Sequence, residues 1–157
     1  MDPGLRITGY GVIDLGPKLV EAGVVRTNQK DGIAGRLTEI YQALSEVITE
    51  LKPDVLVLEK LYAHTEHPTT AILMGHARGV VCLLSGLHQV HLASIAATHV
   101  KKSVTGHGHA GKAQIQRMVQ HVLSLKTLPS PPDVADALAI AITYASQLNS
   151  LSKTKGF

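Results

Sequence analysis

The stretch that decides the fold is Asp54-Val-Leu-Val-Leu-Glu59, a short continuous apolar run that ends in an acid. Such a run is typical of a strand buried on both faces, because helices cover both sides of a parallel sheet. The preceding segment, Ile33–Leu51, repeats apolar residues at spacings of three and four, which predicts a helix that Pro53 terminates. A buried strand that follows an amphipathic helix indicates an α/β domain.

Outward from this core, the chain reads as a hairpin followed by alternating strands and helices. Two β-like runs, residues 5–16 and 19–27, precede the first helix and are joined by a Gly-Pro turn. The later predicted elements are a helix at 69–84, a short strand at 89–93, helices at 96–104 and 114–125, and a last helix from 133 to about 148. An antiparallel start followed by this alternation indicates a mixed central sheet flanked by helices.

Length and composition set the broad class. The 157 residues are 45% hydrophobic and 17% charged, which fits one globular domain and excludes collagen-like, coiled-coil and disordered chains. We predict a single domain at residues 1–149 and a flexible basic tail at 150–157. No apolar run is expected to reach membrane length, since His76 and Arg78 interrupt the longest one, and no signal peptide is recognised. The lone Cys82 suits a reducing cytoplasm.

Four acids occupy unusual places in this acid-poor chain. Asp2 precedes a Pro-Gly turn, and Glu59 ends the apolar strand. Asp133 and Asp136 open the most apolar helix, three residues apart and therefore on one helix face. If the four converge at one sheet edge, they need a cation, and oxygen-rich sites of this kind suit Mg²⁺ or Mn²⁺. Two such ions would clamp the attacking water and the leaving oxygen of a phosphodiester.

Each acid also has an ordinary structural explanation. Asp133 fits a helix N-cap or a first-turn acid that the helix dipole favours, and Asp2 fits turn chemistry. Glu59 fits a surface residue at a strand end. Asp136 is harder to explain in this way, because its apolar neighbours make an unpaired charge costly there.

Five segments, taken together in order, resemble the signatures of the RuvC-type Holliday-junction resolvases. The segments are DPGLRITGYGVI at residues 2–13, VLE at 57–59 followed by Tyr62, GHARGV at 75–80, VKKSVTGHG at 100–108 followed by Lys112, and DVADALAIAIT at 133–143. The resemblance covers nearly the whole chain. It implies an RNase H-like fold with a five-stranded mixed sheet flanked by helices. Family members carry a short apolar strand before the first acid, and here that strand is largely missing.

The resemblance also implies an activity. It implies a homodimer that resolves four-way DNA junctions in recombination and repair by paired symmetric hydrolysis, leaving 5′-phosphate ends. By carry-over, the metal-binding catalytic carboxylates are Asp2, Glu59, Asp133 and Asp136, with Mg²⁺ (or Mn²⁺) as cofactor and two ions per subunit. The implied partners are junction DNA and the branch-migration helicase complex of the same pathway, in the cytoplasm and away from any membrane.

Five further residues are predicted to contact DNA. Lys101 and Lys112 match the family's lysines and would bind phosphates, although locally they read equally well as solvated side chains. Tyr62 would stack on an unpaired base, the alternative being a half-buried packing role. His107 and His109, in a glycine-rich loop, make a weak zinc motif and are expected to approach the phosphate backbone.

Three residues of the predicted helix at 69–84 concern assembly. Gly75 and Gly79 lie four residues apart on one face and are candidates for the dimer interface, unless that face packs on the protein's own sheet. Arg78, between them in the apolar helix, is expected to pair with an acid or to reach the interface.

Two other functions compete with a junction endonuclease. One is a junction-binding protein in which catalysis is impaired because the first strand is truncated; we prefer a misassigned start codon, since all four acids and both lysines are present. The other is an actin-like or sugar-kinase-like phosphate site. The chain is too short for two such lobes, and it contains no second glycine-rich phosphate loop.

Overall fold

The computed structural model describes residues 1–60 and 68–154. In this part of the chain the elements are, in order, β1 (Ile7–Asp14), β2 (Lys18–Arg26), α1 (Ile33–Leu51), β3 (Val55–Glu59), α2 (Pro68–His88), β4 (His91–Ile95), α3 (Ala97–Thr105), α4 (Lys112–Val122) and α5 (Pro132–Thr154). The predicted α/β class is confirmed, and α1 has the bounds that its periodicity predicts.

The strands form two small sheets that the N-terminal residues connect. β1 pairs antiparallel with β2, and β3 pairs parallel with β4. The N-terminal ammonium of Met1 donates a hydrogen bond of 2.7 Å to the Val57 carbonyl oxygen, and Asp2 exchanges backbone hydrogen bonds of 2.9 and 3.0 Å with Gly9. Beyond Met1, a cleft of about 490 Å³ opens between β1 and β3. Within the described residues we therefore find four strands in two sheets, where the family pattern has a five-stranded sheet.

Helices cover β3 from both sides. Leu56 and Leu58 pack in one core cluster with residues of α1 and α2. Val57 faces the other way and belongs to a second cluster, built mainly from α3, α4 and α5. Because successive side chains of a strand point to opposite faces, this alternation places β3 in the middle of a three-layer structure. The predicted burial of this strand on both faces is confirmed.

Two glycines let α5 approach β1 closely. A Cβ atom added to Gly9 would lie 2.2 Å from the Asp133 carbonyl oxygen, and one added to Gly11 would lie 2.5 Å from the Leu138 side chain. A side chain at either position would force the helix away from the strand. The alternating glycines of β1 therefore set the distance between this strand and the first turns of α5.

Several predicted boundaries are wrong by a few residues. β4 begins at His91 rather than at residue 89, because Gln89 turns the chain with a φ of 55°. α4 begins at Lys112, two residues before its predicted start. α5 continues to Thr154, so residues 150–154, predicted as part of a basic tail, are helical, and residues 155–157 lie outside the described residues.

The apolar character of α2 exceeds the sequence-based expectation. Its segment Thr69–His88 is long and apolar enough to cross a membrane by length and composition, and only 22% of its most apolar window is buried. The expectation that no apolar run reaches that length is therefore wrong. The core helices of soluble proteins pass the same test.

Candidate active site

Four acids from three parts of the chain lie near one another; together they are the carboxylate cluster. Glu59 ends β3, and Asp136 lies one turn into α5. The cluster consists of Asp2, Glu59, Asp133 and Asp136, all half-buried. The negative charge of Asp2 acts on Glu59, and that of Asp136 acts on both of them. The structure thus brings together the four acids that the sequence singles out.

Gly9 positions two members of the cluster. Its backbone nitrogen and oxygen both bond to Asp2, and its Cα faces the backbone of Asp133. Asp133 lies in the first turn of α5, where the positive end of the helix dipole favours an acid. The structural reason for Asp133 at a helix start is therefore compatible with a place in the cluster.

Burial and mutual repulsion disfavour the ionised forms of three of these acids. Burial, and after it the charge of Asp136, raises the pKa of Asp2 from 3.8 to about 6. Burial, followed by the charges of Asp2 and Asp136, also raises the pKa of Glu59. The pKa of Asp136 is raised mainly by burial, although Lys112 opposes the shift. Like charges held together in this way are typical of functional carboxylate sites.

Both lysines predicted to bind DNA lie beside the carboxylate cluster. The Lys112 ammonium is 3.9 Å from a carboxylate oxygen of Asp136, and its side chain is 74% exposed. The positive charge of Lys101 lowers the pKa of Glu59 and of Asp136, in opposition to burial. Lys101 lies on α3 and Lys112 begins α4, so two different helices supply positive charge to the rim of the cluster.

The donor atoms of the cluster fit a hard divalent cation, but their spacing is open. No three His, Cys, Asp or Glu side chains lie close enough to hold a metal ion in the described parts, residues 1–60 and 68–154. The chemistry of the donors nevertheless fits, because carboxylate oxygens are the preferred ligands of Mg²⁺ and Mn²⁺. Burial, and after it the mutual repulsion of the acids, raises the pKa values of Asp2 and Glu59, and a cation would relieve that repulsion. Binding of an ion therefore requires these side chains to turn toward one another.

Arg78 contacts the site in a way that sequence reasoning missed. Its guanidinium donates to the backbone carbonyl oxygen of Glu59 and, at 2.9 Å, to the Ser94 hydroxyl. The two acceptors are a main-chain carbonyl and a hydroxyl, so among the described residues Arg78 does not pair with a carboxylate, which was one of the two expectations for it. The signal for this contact was the arginine itself, an ionised residue within an apolar helix.

The remaining predicted residues are placed as follows. His107 and His109 are exposed, and in the described residues neither belongs to a metal-binding group. A Cβ added to Gly75 or Gly79 would meet no atom of residues 1–60 or 68–154 within 4 Å. Tyr62 lies outside the described residues.

Comparisons with known proteins agree on one family. The family model for the crossover junction endodeoxyribonuclease RuvC matches residues 1–144. A relative of that name from Rhodopirellula baltica is 48% identical over 145 residues, and the alignment covers 90% of this chain and 82% of the relative. A relative of the same name from Alkaliphilus metalliredigens is 39% identical over 160 residues, and the alignment covers 99% of this chain and 97% of the relative. The solved structure of Thermus thermophilus RuvC in complex with a Holliday junction substrate superimposes with a TM-score of 0.84 at 32% identity, covering 95% and 92% of the two chains.

Proposed function

The chain belongs to the RuvC family of crossover junction endodeoxyribonucleases, and we propose that the carboxylate cluster is the site at which it hydrolyses DNA. It is an endonuclease that resolves Holliday junctions in recombination and repair. The observation that carries the site assignment is the proximity of four acids from the N-terminal segment, β3 and α5, with raised pKa values for Asp2, Glu59 and Asp136.

The cluster would hold Mg²⁺, or Mn²⁺ in its place, with two ions per subunit. When bound, the cation would lower the pKa of the attacking water and stabilise charge on the scissile phosphate. The protein's own share is positioning. Gly9 fixes Asp2 and Asp133 relative to each other, and the end of β3 carries Glu59 within electrostatic reach of Asp2 and Asp136. Half-burial limits the water around these acids and strengthens their attraction for a cation.

Positive side chains around the cluster would guide the DNA backbone to it. Lys101 and Lys112 lie within electrostatic reach of the acids and would bind the phosphates that flank the scissile bond. Exposed His107 and His109 lie in the loop between the two lysine-bearing helices and would approach the same backbone. Tyr62, three residues after Glu59, would stack on an unpaired base at the junction centre.

A homodimer through one face of α2 would supply two such sites. Ile72, Leu83 and Leu87 are 60%, 54% and 58% exposed and lie on the same side of the helix as Gly75 and Gly79. An exposed apolar stripe of this length indicates a protein interface. Two symmetric cuts in a junction require two active sites related by a two-fold axis, which favours a second copy of this chain as the partner.

Two further parts of the proposal come from the family relationship. We expect the enzyme to work with the branch-migration helicase complex of the same pathway, since that complex supplies junctions. We expect it to act in the cytoplasm, where a bacterial chromosome is repaired.

The substitution Glu59→Gln tests the site assignment, because it removes the charge and keeps the shape. Cleavage of a synthetic four-way junction in Mg²⁺ under single-turnover conditions should be abolished, while metal-free junction binding, measured by fluorescence anisotropy, should persist. Glu50→Gln, an exposed acid near the end of α1, is the matched control and should cut normally. A Glu59→Gln enzyme that cuts at the normal rate would show that the assignment is wrong.

A further inference from the structure

Arg78 joins three elements at the edge of the carboxylate cluster. It lies on α2, its Nη1 donates to the Glu59 carbonyl oxygen at the end of β3, and its Nη2 donates to Ser94 Oγ on β4 at 2.9 Å. Its side chain is half-buried. One planar guanidinium thus bonds to the ends of two neighbouring parallel strands, and its rigid fork fixes the direction of both bonds.

The helix turn that carries Arg78 is anchored in the core. Its neighbours Ala77 and Val80 are buried, and they belong to the same core cluster as Leu58, the residue before Glu59. The helix that carries Arg78 is therefore packed against the strand whose last carbonyl Arg78 binds. The strand ends are also tied to each other, because the backbone nitrogen of Lys60 donates to the Ile95 carbonyl oxygen at 2.7 Å.

The contact acts on the main chain of Glu59 and not on its carboxylate. Burial shifts the pKa of that carboxylate most, and the charges that shift it further are those of Asp2, Asp136, Lys101 and the N-terminal ammonium of Met1. Arg78 instead holds the carbonyl of the same residue, which fixes the backbone from which the side chain projects. A group that neutralises the carboxylate would change its affinity for protons, whereas a group that holds the backbone changes its position.

We propose that Arg78 is a positioning residue for junction cleavage, which orients Glu59 toward the rest of the carboxylate cluster by clamping the ends of β3 and β4. This inference rests on the proposed role of the cluster. It predicts that loss of Arg78 weakens metal binding and slows cleavage without weakening the grip on DNA. An arginine that contacted a phosphate would have the opposite effect, since its loss would weaken metal-free junction binding and reduce its salt dependence.

The test compares Arg78→Met, Arg78→Lys and Ser94→Ala with Arg36→Met. Arg36 is a matched control, because it is also a half-buried arginine on a helix and donates to a residue just after a strand, the Thr27 hydroxyl, at 2.9 Å. Mg²⁺ binding to the DNA-free protein is measured by titration calorimetry, junction affinity by metal-free anisotropy, and the cleavage rate by single-turnover assays across Mg²⁺ concentrations.

Arg78→Met should slow cleavage roughly 100-fold, the scale expected when a catalytic group is displaced by about 1 Å. It should also raise the Mg²⁺ concentration needed for half-maximal rate and weaken calorimetric Mg²⁺ binding, with metal-free junction affinity unchanged. Arg78→Lys should restore part of the rate, because one donor can still reach the carbonyl. Ser94→Ala leaves the hydrogen bond from Arg78 to Glu59 intact, so it should raise the Mg²⁺ requirement by less than Arg78→Met does. This variant tests the inference even if Arg78→Met does not fold.

Two results would overturn the inference. One is that folded Arg78→Met and Ser94→Ala need the same Mg²⁺ concentration as the unmodified enzyme and cleave at the rate of the Arg36→Met control. The other is a loss of metal-free junction affinity in Arg78→Met. Either result leaves the site assignment standing if Glu59→Gln still abolishes cleavage, whereas a Glu59→Gln enzyme that cuts normally removes the assignment itself.

Discussion

The substitution Gly9→Ala should damage stability and catalysis together, because one added methyl group meets the backbone of α5. The new Cβ would lie 2.2 Å from the Asp133 carbonyl oxygen and 2.7 Å from its carbonyl carbon. Backbone atoms cannot turn aside as a flexible side chain can. Since Cβ contacts under 3.0 Å are essentially never observed, strand and helix must separate by at least about 0.8 Å at this point.

The size of both effects follows from this separation. Overpacking of a well-packed contact costs about 1–3 kcal/mol. For a protein of this size that corresponds to a melting temperature lower by roughly 2–12 °C. The same shift moves Asp133 away from Asp2, and a displacement near 1 Å at a catalytic group can slow the reaction about 100-fold.

Thermal unfolding and single-turnover cleavage of a four-way junction measure the two effects on one preparation. Gly16→Ala is the matched control, since its new Cβ would meet no atom within 4 Å in the part of the chain that the structure describes. Equal melting temperatures and equal rates for the two variants would refute the packing of α5 on β1 at Gly9. A lower melting temperature of Gly9→Ala with a normal cleavage rate would support the packing of α5 on β1 but refute the role of Asp133 in cleavage.

Three further outcomes are expected. In EDTA at pH 7.5, Asp2→Asn should raise the melting temperature, because the pKa of Asp2, raised to about 6, means that its ionised form lowers the free energy of unfolding by up to roughly 3 kcal/mol. This increase in melting temperature should fade as the pH falls from 6 to 4, and equal melting temperatures of the two proteins at pH 7.5 would contradict the prediction. Lys112→Gln should reduce the slope of log affinity against log salt for junction binding by about one, whereas Lys30→Gln in the β2–α1 loop should not. Leu83→Glu should yield monomers in sedimentation velocity while Leu128→Glu, also at an exposed apolar residue, stays dimeric; a dimeric Leu83→Glu protein would exclude the α2 interface.

The sequence predicts best those elements whose pattern is local. α1 was predicted to the residue because its apolar spacing is regular and Pro53 follows it. The end of α5 was placed too early, since the polar residues after Leu148 still form helix and no glycine or proline breaks it. β4 was shifted by two residues because the left-handed conformation of Gln89 has no signal in its residue type.

For the site, residue types were predictable and contacts between distant segments were not. The four acids stand out because each lies in or beside an apolar element, and the structure places them within electrostatic reach of one another. The hydrogen bond from Arg78 is accepted by the main-chain carbonyl of Glu59. Every residue has such a carbonyl, so no pattern of residue types predicts this contact. The two separate sheets depend on which backbone groups face each other across Met1 and Asp2, and this is set by packing rather than by residue pattern.

The bridge formed by Met1 and Asp2 has a consequence for local unfolding. Asp2 is bonded to β1, whereas Glu59 belongs to β3, and an open cleft separates these strands beyond Met1. Segments joined by few hydrogen bonds open at lower free energy than the cores on either side. Amide hydrogens at this bridge should therefore exchange with solvent before those of the central strand. Each such opening separates Asp2 from Glu59 while both cores stay folded, so the carboxylate cluster is less stable than the fold that carries it.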